Sequence, residues 1–221
     1  MSIVQKILEW LMALFKVPEV KASPVQNSFV FGPDATSEML RTCKLNKAGE
    51  STVLKACAKI IQHKNRYESI GLASQIPWWV IAVIHHRENG NDFSGVLHNG
   101  ERIIGKGVKT KLVPAGRGPF STFEEAAIDA LSLTAASKVG TWNVPNSLDF
   151  LEKYNGLGYR KRGLPSPYLW SFTSKYVSGK YVKDGVFDSK AVDKQIGCVA
   201  LMLGFQKLGV HLPGVMLEVH S

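Results

Sequence analysis

The sequence predicts a mainly helical domain of the α+β class with a small β element, preceded by a separate amphipathic helix. Three observations carry this reading. Apolar residues recur at three- and four-residue steps along most of the chain. Glycine-rich stretches with short β-like pieces separate those segments. The 221 residues are 45% apolar and 20% charged, enough to build a real core and unlike a disordered chain.

At the start, Ile3, Val4, Ile7, Leu8, Leu11, Leu14 and Phe15 form one stripe, with Gln5, Lys6, Glu9 and Lys16 between them. The pattern predicts an amphipathic helix over 1–16. It does not resemble a signal peptide, having no basic leader and no small-x-small site. Its apolar stripe needs a cover: the domain itself, a second copy of the chain, or a membrane surface. Residues 17–35, with Pro18, Pro24 and Pro33, read as a linker, and 36–221 as the main domain.

Within the domain the first expected helices span 37–45 and 51–64, the latter striped by Val53, Leu54, Cys57, Ile60 and Ile61. Pro77 opens the next, whose Val80, Ile81, Val83 and Ile84 make it apolar almost all round and therefore central. Segments 102–104 and 109–113 are expected to pair as a small ribbon. Ser121 and Glu124 have capping-box spacing before a helix over 126–136. Asn146 can cap 148–154, and Asp188 can cap a last helix closed by Gly209. Asp184-Gly185 marks a hairpin turn between 181 and 187.

The 27 Lys and Arg against 18 Asp and Glu give a formal charge of +9, which favours anionic surroundings: nucleic acid, anionic lipid or an anionic wall polymer. Cys43, Cys57 and Cys198 are too few and scattered for a disulfide scaffold and read as buried thiols, with a Cys43–Cys57 or Cys57–Cys198 bridge as the alternative. No apolar run approaches the roughly 20 residues that span a bilayer.

The chemistry-bearing candidates fall in two clusters. Glu88 shares a helix face with Ile81 and Ile84, at the end of the apolar helix. A carboxylate there loses solvation, which favours the protonated form a general acid needs. The second cluster is Tyr154-Asn155-Gly156-Leu157-Gly158-Tyr159-Arg160, continued by Tyr168 and Trp170. Its glycines allow close backbone approach, its aromatics suit sugar rings, and Arg160 suits an anionic polymer. His-Glu-x-x-His, Gly-x-Ser-x-Gly, Gly-x-Gly-x-x-Gly and P-loop patterns are absent, so no metal, serine triad, nucleotide or other cofactor is expected.

These stretches carry a resemblance. Ile81-Ala82-Val83-Ile84-His85-His86-Arg87-Glu88-Asn89 resembles the helix that ends in the catalytic glutamate of goose-type lysozymes and soluble lytic transglycosylases. Val96-Leu97-His98-Asn99-Gly100-Glu101 is similar to the Val-Leu-x-Asn-Gly segment of the goose-type enzymes, and Tyr154-Asn155-Gly156 to their Tyr-Asn-Ala-Gly motif. The segments Ser166-Pro167-Tyr168-Leu169-Trp170 and Gly179-Lys180-Tyr181-Val182 resemble phage-type cell-wall hydrolases. Asn89 stands where the family has serine, and a Gly-Leu-Met-Gln segment is not evident.

The resemblance implies a lysozyme-like fold and cleavage of peptidoglycan at the MurNAc–GlcNAc bond, with Glu88 as acid. Inverting hydrolysis also needs a water-activating carboxylate; Glu101 is the first candidate and Asp92 the second. Tyr154, Asn155, Arg160, Tyr168 and Trp170 are the expected substrate-binding residues. Without a second carboxylate the same fold would act as a lytic transglycosylase. The expected partner is peptidoglycan, and the expected place of action the bacterial cell wall. Nucleic acid is not expected: a non-catalytic basic module using Lys106, Lys109, Lys111, Arg117 and Arg160 to Arg162 is the competing reading, with no nucleic-acid signature to support it. A scaffold organised by the N-terminal helix is the third.

Overall fold

The computed structural model describes residues 33–214 apart from Asp184. The expected helix over 1–16 and nearly all of the linker lie outside the described residues, as does residue 184 of the expected turn.

The described chain is mainly helical. Its elements in order are α1 (Pro33–Arg41), α2 (Lys47–Gln62), α3 (Lys64–Ser74), α4 (Trp78–Asn89), α5 (Phe123–Ser132), α6 (Val144–Asn155), α7 (Gly158–Lys161), α8 (Pro167–Trp170), β1 (Lys180–Lys183), β2 (Val186–Asp188) and α9 (Cys198–Lys207). Helix α4 is the centre. Residues 79–85 are all buried, and the helix packs against α3, α6 and α9. An apolar helix is stable only with neighbours on every side, and that sets the packing of the rest. Helix α9, buried from Cys198 to Phe205, lies across α2 and α8 as well. Gly204 lets α9 approach α2: a Cβ there would stand 2.5 Å from Cys57 Sγ. The three cysteines are buried and form no disulfide among the described residues.

Helix boundaries depart from the sequence reading where side chains found other partners. The capping box is one residue later than expected: Thr122 Oγ1 accepts from Glu125 N at 3.2 Å, and Glu125 Oε2 accepts from Thr122 N at 3.3 Å. The shift frees Glu124 to accept from Arg66 Nε of α3 at 2.6 Å. Asn143, not Asn146, caps α6, accepting from Asn146 N at 2.9 Å. Asp188 caps no helix; it ends β2, and α9 starts after Gly197. Helix α3 was not expected, since only Tyr67 and Ile70 of its residues are buried and no stripe announces it.

The β element also differs in place. Among the described residues 102–104 and 109–113 form no strand. Their backbone is held by side chains instead: the Glu101 carboxylate accepts from Lys111 N and Leu112 N at 3.0 Å and from Asn99 Nδ2 at 2.8 Å. Thr110 fastens the other end, donating to the Pro114 carbonyl at 2.6 Å and accepting from Arg117 N at 3.0 Å. The sheet is the hairpin of β1 and β2, antiparallel, with Tyr181 opposite Phe187 and an irregularity between Tyr181 and Lys183. Gly185, at φ +69°, takes the positive-φ position its turn needs. No described helix is long and apolar enough to cross a membrane.

Candidate active site

Helix α4 stops where chemistry could begin. Gly90, in the left-handed region at φ +69°, donates to the His86 carbonyl at 3.0 Å, and Asn91 N donates to the His85 carbonyl at 3.3 Å. This closure leaves Glu88 in the last turn, half-buried, with the apolar body of α4 behind it.

One tyrosine meets Glu88, and a second lies within reach of its charge. The Tyr168 hydroxyl, from α8, donates to Glu88 Oε1 at 3.4 Å. Burial pushes the Tyr168 hydroxyl well above its ordinary value, and the Glu88 charge adds to that. The Tyr154 hydroxyl, at the end of α6, is raised the same way, by burial first and by Glu88 next. The last turn of α4 and α8 thus bring one carboxylate and one un-ionised phenol together, with Tyr154 of α6 within reach of the same charge. Tyr168 lies 80 residues from Glu88 in the chain, and both were among the expected site residues.

Beside them a groove of 230 Å³ is lined by Arg87, Asn155, Tyr168, Lys180, Tyr181 and Asp193, among others. Tyr168 belongs to both places. Arg87 is buried and ordered: Nη2 donates to Asp193 Oδ2 at 2.9 Å and Nη1 to the Gln195 carbonyl at 3.1 Å, and the guanidinium lies 4.9 Å from the Tyr168 ring centroid. Burial by itself would raise the Asp193 carboxyl; the Arg87 and Lys180 charges outweigh it and hold it below the usual range. Lys180 Nζ stands 3.2 Å from Asp193 Oδ1. Tyr159 Oη accepts from Tyr181 N at 3.0 Å, which fastens the hairpin to α7. Arg87, Lys180 and Asp193 were not singled out by sequence reasoning. Arg87 adjoins Glu88 in the chain, but Asp193 sits in a segment with no periodic signal.

The expected site residues divide. Glu88, Tyr154 and Tyr168 come together, and Asn155 lines the groove. Trp170 is 2% exposed and lies in the hydrophobic core, so it buttresses α8 and offers no face to a sugar. Tyr154 and Tyr168 are likewise buried, so the expected stacking platform does not exist in that form; Tyr181, half-buried, is the more open ring of the groove. Arg160 is a tie between helices: it donates to Glu152 from Nε at 2.9 Å and to Asp149 from Nη2 at 2.9 Å. Glu101 runs close to the end of α4, since a Cβ on Gly100 would be 3.8 Å from the Glu88 carbonyl oxygen. Its carboxylate is nonetheless filled with the backbone N–H groups of its own loop. Asp92 is occupied too, accepting from Ser94 and Arg102.

Among the described residues no group of three or more His, Cys, Asp and Glu could hold a metal. His98 Nε2 lies 2.7 Å from Asp129 Oδ2, and Asp129 also receives Arg117; this cluster, buried at His98 and half-buried at the other two, pins the 92–122 loop to α5. No protein-family model matches the chain, and neither the curated proteins nor the solved structures searched give a match.

Proposed function

We propose that this protein cleaves the glycan strand of peptidoglycan, with Glu88 as the proton donor to the glycosidic oxygen, on a lysozyme-like helical domain. The observation that carries the reading is the contact of the Tyr168 hydroxyl with Glu88 at the end of the central apolar helix, beside a polar groove. A carboxyl backed by apolar helix and held by a phenol can exchange a proton with a bound sugar. The order of the motif-like segments along the chain supports the same reading, and the +9 charge suits an anionic wall.

The chemistry of the second step follows from the carboxylates. Inverting hydrolysis needs a carboxylate about 6.5–9.5 Å from the acid to activate water. Glu101 and Asp92 are both taken up by loop donors, which favours the one-glutamate variant. There Glu88 acts first as acid and then as base, the C6 hydroxyl of the muramyl sugar closes on C1, and a 1,6-anhydro end results. Digestion of purified peptidoglycan followed by mass spectrometry of the fragments tests both levels. Fragments one water lighter than reducing ends support the transglycosylase variant, reducing ends support hydrolysis, and an undigested wall removes the proposal.

A further inference from the structure

The stretch from Phe93 to Phe123 carries five Lys and Arg residues and one acid, Glu101. Two of the five are paired: Arg102 Nε stands 2.8 Å from Asp92 Oδ2, and Arg117 Nε donates to Asp129 Oδ2 at 2.8 Å. Lys106, Lys109 and Lys111 are exposed and make no ion pair among the described residues. Apolar side chains are exposed between and beside them: Leu112 is 53% exposed, Val108 45% and Val113 38%. The backbone here is closed on itself. Thr110 N donates to the Arg117 carbonyl at 2.9 Å and Gly116 N to the Thr110 carbonyl at 2.8 Å, so 110–117 form a narrow loop. Lys111 N and Leu112 N donate to the Glu101 carboxylate, the Leu112 carbonyl accepts from Asn99 Nδ2 at 3.1 Å, and the Pro114 carbonyl accepts from the Thr110 hydroxyl at 2.6 Å. A loop that stays in water needs few such ties, because water satisfies its amides. A loop that leaves water must bring the partners of its backbone with it.

We propose that the loop of residues 105–117 is a membrane-binding surface, whose Val108, Leu112 and Val113 enter the interface of an anionic bilayer while Lys106, Lys109 and Lys111 meet the lipid phosphates. The surface stands apart from glycan cleavage, and neither depends on the other. Charge and exposed apolar area together select this partner. Each cation near an anionic leaflet adds attraction, and each apolar side chain that leaves water adds burial. A nucleic acid would engage the same lysines, but its bases need aromatic platforms. Between 94 and 119 the sequence has no Phe, Tyr or Trp, and Phe120 is half-buried, stacked on His98 at a centroid distance of 5.5 Å. A hydrated anionic polymer supplies charge for the lysines but no apolar phase for Leu112.

The test is sedimentation of the full chain with vesicles of phosphatidylcholine, alone or mixed equally with phosphatidylglycerol, at about 0.1 M salt. The mixed vesicles are expected to carry the protein down and the neutral ones to leave it in solution. Lys106→Gln, Lys109→Gln and Lys111→Gln combined should weaken binding about a hundredfold, and Leu112→Ser with Val113→Ser about tenfold. Leu112→Cys, labelled with an environment-sensitive fluorophore, reports on the loop itself, because the three native cysteines are buried. Its emission should shift to the blue on mixed vesicles. Absence of binding overturns the surface. So does binding that neither set of substitutions weakens in folded protein, which would place attachment elsewhere in the chain, such as the apolar stripe of residues 3–15. A label that stays unshifted on bound vesicles overturns it as well. Tighter binding of a duplex oligonucleotide than of mixed vesicles, with the same dependence on the three lysines, would assign the loop to nucleic acid instead.

Discussion

His85 is a buried polar residue whose setting can be worked out atom by atom. Its Nε2 is 3.2 Å from the Asp92 carbonyl, which can only accept, so Nε2 carries the proton and Nδ1 accepts from the Tyr67 hydroxyl at 2.9 Å. Asn91 Nδ2 in turn donates to Tyr67 Oη at 3.0 Å. A second proton on the ring would break this chain inside the core, and burial accordingly pushes His85 down to about 3. In the unfolded chain the same ring titrates near 6.5. Stability from His85 is therefore full above pH 6.5 and drains away as pH falls from 6.5 towards 3. Burial moves His86 and His98 in the same direction. The His85 ring carbons should keep their neutral NMR shifts down to pH 4.5 while the thermal midpoint drops; a transition near pH 6.5 for this ring would contradict the assignment. Glu101 is the other residue whose role can be read from its partners. Glu101→Gln replaces one acceptor oxygen by a donor facing N–H groups, which should cost about 1–3 kcal/mol in a denaturant titration. Wall cleavage should stay within about tenfold of the parent; a loss of several hundredfold in folded protein would restore Glu101 as a catalytic carboxylate.

At the scale of elements, the tightest joint is the crossing of α2 and α9. Gly204→Ala puts a methyl 2.5 Å from Cys57 Sγ and 2.9 Å from Val53 Cγ1, so overpacking should destabilise the domain by about 1–3 kcal/mol. Adding Cys57→Ala should recover part of that loss, and strict additivity of the two changes would show that the clash is not at this joint. The elements also show what a sequence can and cannot declare. Helix α4 was legible because its apolar residues run almost without a break, and α2 because Val53, Cys57 and Ile60 share a stripe. Helix α3 was not, because it is carried by contacts of Tyr67 and Ile70 and by the Arg66–Glu124 pair, which no local pattern reveals. The segments 102–104 and 109–113 have strand-like composition, but Glu101 and Thr110 satisfy the backbone there, and no ribbon forms. Caps were misplaced by one to several residues wherever two capping residues compete, as at Ser121 and Thr122 or Asn143 and Asn146.

Over the whole molecule, helix ends that are distant in the chain converge on one place. The Arg87–Asp193 pair ties the last turn of α4 to the approach to α9, and Lys180 joins the hairpin to the same carboxylate. Glu88 could be found from sequence because an apolar helix runs into it and a glycine ends that helix. Its setting was legible only in part: Tyr168 was expected at the site from the motif-like segments, whereas Lys180 and Asp193 arrive through tertiary packing. The convergence makes Glu88 the pivot of the functional account. Replacing it by glutamine conserves shape and leaves an acceptor for the Tyr168 hydroxyl, so the fold should survive, while the proton donor is gone. The decisive measurement is the rate of release of soluble fragments from purified peptidoglycan by the parent chain and by Glu88→Gln, with near-ultraviolet circular dichroism confirming equal folding. The account predicts a fall of about 10²–10⁴-fold; a folded Glu88→Gln protein that digests the wall at the parent's rate would contradict it.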